Sequence, residues 1–283
     1  MNEIWHHRLV SGLQLARHYA YSLARLPAYR GAFDHVRAFC LFVGYPRSGH
    51  TLVGSLLDAH RHAVVGLELD VLKYVRFGFG REQIFLLLAE NSRSQARRGR
   101  QWTDYSYYVP NQWQGRAEQI RVIGDKRGGE SSRRLARDFG LLDRLRRAVG
   151  VPLKVIHVVR DPYDNIATMC LRGDAPSLDQ AIEAYFRMAD IAERVRQHLS
   201  PSDFITVHHE DIIAHPIEKL QELCQFLGLC VDGDYLRDCA SIVFESPNRS
   251  RTKIGWTAAQ RLRVARHAGQ HDFLARYAAW DGE

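Results

Sequence analysis

The chain has 283 residues, 46% hydrophobic and 25% charged, which is enough apolar content for one complete core and excludes a wholly disordered polypeptide. Its 39 Lys and Arg against 32 Asp and Glu give a formal charge of +7, and arginine, the more abundant cation, suits bidentate capture of phosphate, sulfate or carboxylate. No helix-turn-helix, zinc or RNA-recognition signature accompanies the charge, so an anionic small ligand is expected ahead of nucleic acid.

Residues 1–38 place Trp5, Leu9, Leu13 and Ala16 at helical spacing, with Arg8, Arg17, Arg25 and Arg30 interspersed. A basic amphipathic helix packs on its own domain or lies on a membrane surface. Packing is the expectation, and peripheral membrane contact the alternative. A long apolar core before a small-residue cleavage site is lacking, and no run approaches a membrane span, so a cytoplasmic protein is expected.

Phe39 to Val43 reads as a buried strand, Gly44 to His50 as a tight loop and Thr51 to Ala59 as a helix. Gly44 and Gly49, with four residues between them, followed by His50 and Thr51, reproduce the spacing GxxxxGK(S/T) with histidine in place of lysine; Arg47 supplies a cation three residues earlier. Backbone N–H groups of such a loop, with the following helix dipole, bind an anion. Ala63 to Leu67 suits a second parallel strand, ending in Glu68, 21 residues after Arg47. On the residues alone Glu68 is an acid capping a helix that starts near Asp70.

Val71 to Ala89 reads as helical with a break at Phe77 to Gly80. Asn91 to Gly115 has no clear period, and its aromatic cluster, Trp102, Tyr105, Tyr107, Tyr108 and Trp113, either lines a pocket or packs on the domain. Arg121 to Gly124 is a short strand leading into Asp125 and Lys126, and 131–148 reads as one helix with Leu135, Phe139, Leu142 and Leu145 on its apolar side. Lys154 to Val159 is the clearest strand. It delivers Arg160, then Asp161 and Pro162 as N-cap and first helical residue. Thr168, about two turns into that helix, returns a hydroxyl toward Arg160, and the pair forms a second phosphate site. Residues 178–198 and 217–227 read as helices and Phe204 to Val207 as a strand; Ser246 to Trp256 is a basic, turn-rich segment. The five cysteines form no CxxC pair and read as buried free thiols, and the 14 histidines lack metal-ligand spacing, so no metal is expected.

GYPRSGHT followed by LLDAH resembles the 5′-phosphosulfate loop of sulfotransferases that use 3′-phosphoadenosine 5′-phosphosulfate (PAPS), in the form found in tyrosylprotein and many bacterial sulfotransferases. VVRDPYDNIATMCLR resembles the same family's 3′-phosphate motif, with threonine for the usual serine. The resemblance spans roughly residues 39–257. It implies a three-layer α/β fold with a P-loop-NTPase-like central parallel sheet flanked by helices, and transfer of a sulfonate from PAPS to an acceptor hydroxyl; with the helical spacing of 1–38, the expected organisation is an N-terminal helical segment at 1–38 packed on a sulfotransferase-like domain at 39–283. Arg47, Ser48, Gly49, His50 and Thr51 would hold the 5′-phosphosulfate, and Arg160, Thr168 and either Arg249 or Arg251 the 3′-phosphate, because the family's arginine-lysine-glycine triplet before Trp256 is absent here. Glu68 matches the proposed base of the tyrosylprotein enzymes, with Glu130 as second candidate, and Lys126 would face the transferring group. The product would be 3′,5′-adenosine bisphosphate, with no metal needed. The acceptor, whether sugar, lipid, small molecule or peptide tyrosine, is not legible, nor is the oligomeric state. The rival readings are a P-loop kinase or NTPase and a nucleotide-binding relative without activity.

Overall fold

The computed structural model describes the backbone of residues 2–102 and 105–280 and the side chains of 12–101 and 105–280. After α1 (Asn2–Arg25), β1 (Ala38–Gly44) carries no polar side chain and is buried throughout, as a strand covered on both faces must be. α2 (His50–Asp58) leads to β2 (Ala63–Leu67). Then come α3 (Val71–Arg76), α4 (Arg81–Arg97), a short antiparallel hairpin of β3 (Gln101–Trp102) and β4 (Tyr105–Ser106), and β5 (Val122–Lys126). α5 (Gly128–Arg137) and α6 (Leu141–Val149) precede β6 (Leu153–Val159), and α7 (Pro162–Leu171) and α8 (Leu178–His198) precede β7 (Phe204–His208). α9 (His209–Ala214), α10 (Pro216–Phe226), α11 (Gly233–Ala240) and α12 (Ala258–Ala268) follow.

Five strands form one parallel sheet in the order β2-β5-β1-β6-β7. The period of two along β1 sorts its side chains into two layers. Phe39, Leu41 and Val43 pack with α3, α4, α5 and α6, while Ala38, Cys40 and Phe42 pack with α2, α10 and α11. From β1 the chain moves first toward β2 and β5 and only later to β6 and β7 on the other side. The crevice at the carboxyl end of β1 is therefore the switch point where open α/β sheets bind ligands. Local chemistry agrees: Asp161 caps α7 by accepting from the backbone of Tyr163 at 2.9 Å, with Pro162 at the first helical position.

Several boundaries differ from the sequence reading. The stretch expected as one helix over 131–148 is two, parted at Asp138 to Gly140, where Asp138 is extended and Gly140 precedes the second helix. α4 runs on to Arg97 through residues expected to lack structure; that last part is polar, and Ser92 is its one buried position, so it shows no apolar period. Among the cysteines Cys230 is exposed and Cys170 half-buried, so the expectation of buried thiols holds for Cys40, Cys224 and Cys239. α1 lies against α4, but through Leu15, His18 and Ser22; Leu13 and Ala16 of the predicted apolar stripe face outward, and the side chains of Trp5, Leu9 and Trp102 lie outside the described residues.

Candidate active site

A cleft of about 700 Å³ opens at the carboxyl ends of the parallel strands. Its lining takes Arg47, Gly49, His50 and Thr51 from the loop after β1, Glu68 from beyond β2, Arg127, Glu130 and Arg133 from beyond β5, and Arg160, Thr168 and Arg172 from beyond β6. Six Lys or Arg line it against three Asp or Glu, so the crevice is a basic field aimed at an anion.

The loop after β1 is fastened from two sides. Ser132 on α5 exchanges hydrogen bonds with the backbone N–H and C=O of Gly44, each 2.9 Å, and Asn165 on α7 donates to the carbonyl of Pro46 at 2.8 Å. Gly49 has φ +90°, and a Cβ there would run into the His209 imidazole, so only glycine lets the loop pass. Arg47 has φ +67°, and its guanidinium donates to Asp174 from Nε at 2.8 Å and a terminal nitrogen at 3.4 Å. His50 is buried and its Nδ1 lies 3.2 Å from the Ser48 hydroxyl; burial pushes its pKa down, with the Lys126 charge adding to this and Glu68 opposing it.

Beside the loop stands a buried cation. Lys126, at the end of β5, runs its stem over Gly54 of α2, where a Cβ would come within 2.6 Å of it. Its ammonium donates to the Thr51 hydroxyl at 3.0 Å and to Glu68 Oε1 at 2.6 Å. Burial would raise the Glu68 pKa, but the His50 contact and the Lys126 charge outweigh it and hold the carboxyl at about 2. Glu68 and Asp70 both lie in the left-handed region, at φ +60° and +73°. The strain is held by the buried Asp125 carboxylate, which accepts from the backbone N–H of Leu69 at 3.1 Å and Val71 at 2.7 Å. Arg127 donates to the Glu68 carbonyl at 2.7 Å, and Arg134 forks onto Asp70. Glu68 is thus a framed residue pointed at a lysine, not the helix cap that its residues alone suggest.

One strand over from the loop, Arg160 stands at the end of β6. It is buried, donates to the Thr168 hydroxyl at 3.3 Å and to the carbonyls of Arg47 at 3.4 Å and Asn248, and keeps its Nε without a hydrogen-bond partner. The spacing read from sequence therefore brings arginine and hydroxyl together.

Residues 41–233 match the sequence model of the Sulfotransferase family. The chain belongs to the Sulfotransferase family. Among solved structures it is similar to the sulfotransferase domain of the Synechococcus PCC 7002 olefin synthase, with 21% identity, TM-score 0.56 and coverage of 88% of this chain and 98% of that one. It is also similar to the sulfotransferase domain from the curacin biosynthetic pathway, with 17% identity, TM-score 0.55 and coverage of 84% and 98%. Sulfotransferase STF9 from Mycobacterium avium gives 12% identity, TM-score 0.51 and coverage of 89% and 81%. These likenesses show a shared fold. Comparison with curated protein sequences finds no match.

The sulfotransferase cleft does not take in every residue expected there. Arg251 is buried away from it, bound to Asp161 at 2.5 Å and Asp164 at 2.8 Å, where it ties its segment to the start of α7. Arg249 is exposed and does not line the cleft; Lys253 is the cation of this segment that does. Ser48 is buried beneath the loop and Lys126 lies just under the cleft floor. Glu130 and Arg133 line the cleft, and Glu130 lies 3.7 Å from each of Arg133 and Arg134. Of the aromatic cluster Tyr105 and Tyr107 reach the cleft beside Phe244, while Trp113 sits in a separate depression under Arg116. Sequence reasoning gave His209 no part. The structure puts its imidazole in the cleft wall, nearly fully buried, with Nδ1 unpartnered against the loop. Its position at the end of β7 was the available signal. No cluster of His, Cys, Asp and Glu able to hold a metal ion occurs among the described residues.

Proposed function

We propose that this chain transfers the sulfonate of PAPS to an acceptor hydroxyl, with Glu68 as general base. The observation that carries the reading is the placement of two basic clusters on neighbouring strands, the loop after β1 and Arg160 with Thr168 after β6, in one cleft. A donor with separate 5′-phosphosulfate and 3′-phosphate ends has one anion for each site. ATP has its anions on one end only.

Arg47, Gly49, His50 and Thr51 hold the 5′-phosphosulfate. Arg160 and Thr168 hold the 3′-phosphate, with Lys253 at the rim. Tyr105, Tyr107 and Phe244 offer aromatic faces to a base on that side. At the other end of the cleft the acceptor oxygen bonds to sulfur as the bond from sulfur to the bridging phosphate oxygen breaks. The acceptor proton passes to Glu68 and the electron pair leaves on the phosphate of 3′,5′-adenosine bisphosphate. Lys126 and Arg47 neutralise that leaving oxygen. An ammonium drawn from Glu68 to the phosphosulfate also releases the carboxylate from its nearest cation, which raises its basicity as the donor is seated. Glu68 is favoured over Glu130 because it shares Lys126 with the loop that holds the donor. The acceptor is a small-molecule, glycan or lipid hydroxyl or a peptide tyrosine.

The test is PAPS turnover with a panel of hydroxyl acceptors. Glu68→Gln is expected to abolish transfer while leaving the affinity for 3′,5′-adenosine bisphosphate within about threefold. Transfer that persists in Glu68→Gln removes the base assignment. Absence of any transfer by wild type that still binds the bisphosphate indicates an inactive relative.

A further inference from the structure

We infer that α1 docks the protein on an anionic lipid surface through the face it turns away from the domain. Leu15, His18 and Ser22 point inward, His18 bonding the Tyr74 hydroxyl at 2.6 Å and Ser22 accepting from Gln83 at 2.9 Å. The opposite face follows the helical spacing of Leu13, Ala16, Ala20 and Leu23, and every one of these is exposed, Leu13 by 71% and Leu23 by 49%. Tyr19 and Tyr21 are each 42% exposed, and the Tyr19 ring stands edge-on to Phe79 of the domain. An apolar stripe of this size is free on a helix whose inward contacts are already made.

Charge says what covers it. From Gly12 to Arg30 the chain has no acidic residue, and Arg17, Arg25 and Arg30 are exposed; among the described residues Arg25 reaches Glu90 at 3.5 Å, and Arg17 and Arg30 show no ion pair. An exposed leucine stripe with Arg17 beside it, in a stretch without acidic residues, matches the interfacial layer of a bilayer, with the alkyl groups below the headgroups and the guanidinium on lipid phosphate. A second copy of the chain fits worse. It would set these arginines against their like, and two leucines and two alanines fall far short of the roughly 800 Å² that each partner buries in a stable interface. No helix among the described residues is long and apolar enough to cross a membrane, so the contact is peripheral. The tie from His18 to Tyr74 joins α1 to α3, which begins three residues after Glu68, so docking holds the Glu68 end of the cleft near the lipid.

Co-sedimentation of the full chain with vesicles tests this. The wild type is expected to bind vesicles in which about one lipid in three is phosphatidylglycerol, to release them at high salt, and to leave pure phosphatidylcholine vesicles in the supernatant. Leu13→Glu combined with Leu23→Glu, both at exposed positions, is expected to weaken binding roughly tenfold or more with an unchanged melting temperature. Equal binding by the double variant overturns the assignment. So does a wild type that ignores anionic vesicles, or one that forms a solution dimer which the double variant dissolves.

Discussion

The ammonium of Lys126 and the carboxylate of Glu68 lie 2.6 Å apart, with the lysine fully buried and Glu68 open to the cleft. The pair joins the end of β5 to the end of β2 across the floor on which a donor sits. In Lys126→Met the cation that helps to depress Glu68 is gone, so the carboxyl pKa rises from about 2 toward its ordinary value. A base must be ionised to act, so the acid limb of kcat/KM, below the workable range in wild type, is expected to move up into it. Loss of leaving-group stabilisation should also lower kcat by about 10²–10³. A pH profile unchanged by Lys126→Met contradicts the coupling.

Stability should fall in acid. Burial, reinforced by neighbouring positive charge, pushes His157 to about 3 and His209 to about 4, so both are neutral in the folded protein. The unfolded chain takes up a proton at each near 6.5. Their contribution is whole above that pH and is lost as pH falls toward 4 and then 3. Asp125 works the other way: burial first, then the charges of Glu68 and Asp70, lift it to about 7, so it favours the folded state as pH drops from 7. Glu68 adds a loss from about 4.5 down to 2. Urea unfolding between pH 4 and 6.5 is expected to show a slope smaller by about 1.4 kcal/mol per pH unit in His209→Gln than in wild type. An identical slope means that His209 is not held neutral.

Asp58, at the end of α2, is the anchor of the long segment before β5. Its buried carboxylate pairs with the buried guanidinium of Arg100 and accepts from the Ser92 hydroxyl at 2.7 Å and the backbone N–H of Val65 at 2.6 Å and Gly115 at 3.1 Å. Asp58→Ala leaves Arg100 as an uncompensated buried charge. The expected loss is about 3–5 kcal/mol of unfolding free energy by urea titration. A loss below 1 kcal/mol would show that Arg100 finds water or another acceptor.

Where sequence predicted well, one local signal sufficed. β1 and β2 are continuous apolar runs and β6 is nearly one, Asp161 and Pro162 spell a helix start, and the offset from Arg160 to Thr168 is set by helix geometry. Loop spacing likewise put Arg47, Gly49, His50 and Thr51 at the carboxyl end of β1, where the structure has them lining the cleft. What stayed hidden depends on partners far away in the chain. Nothing near Asp125 says that it will hold the backbone of Leu69 and Val71, 54 to 56 residues distant, and so set the left-handed turn at Glu68. Arg251 could not be told from Arg249 because only the folded chain brings Asp161 and Asp164 beside it. On α1, helical spacing identified a stripe but not its direction, and Leu13 faces solvent because Leu15 and Ser22 supply the contact with the core.

Thermal unfolding with 3′,5′-adenosine bisphosphate, set against ATP with Mg²⁺, tests the central claim most directly. At about a hundred times its dissociation constant the bisphosphate should add about 2.7 kcal/mol to the folded state, a plain rise in melting temperature. That rise should vanish in Arg160→Ala, which empties the second anion site, while ATP with Mg²⁺ gives a smaller rise. A bisphosphate without effect, beside a Mg²⁺-dependent rise with ATP, would contradict the sulfonate-transfer account and assign the cleft to a P-loop kinase or NTPase.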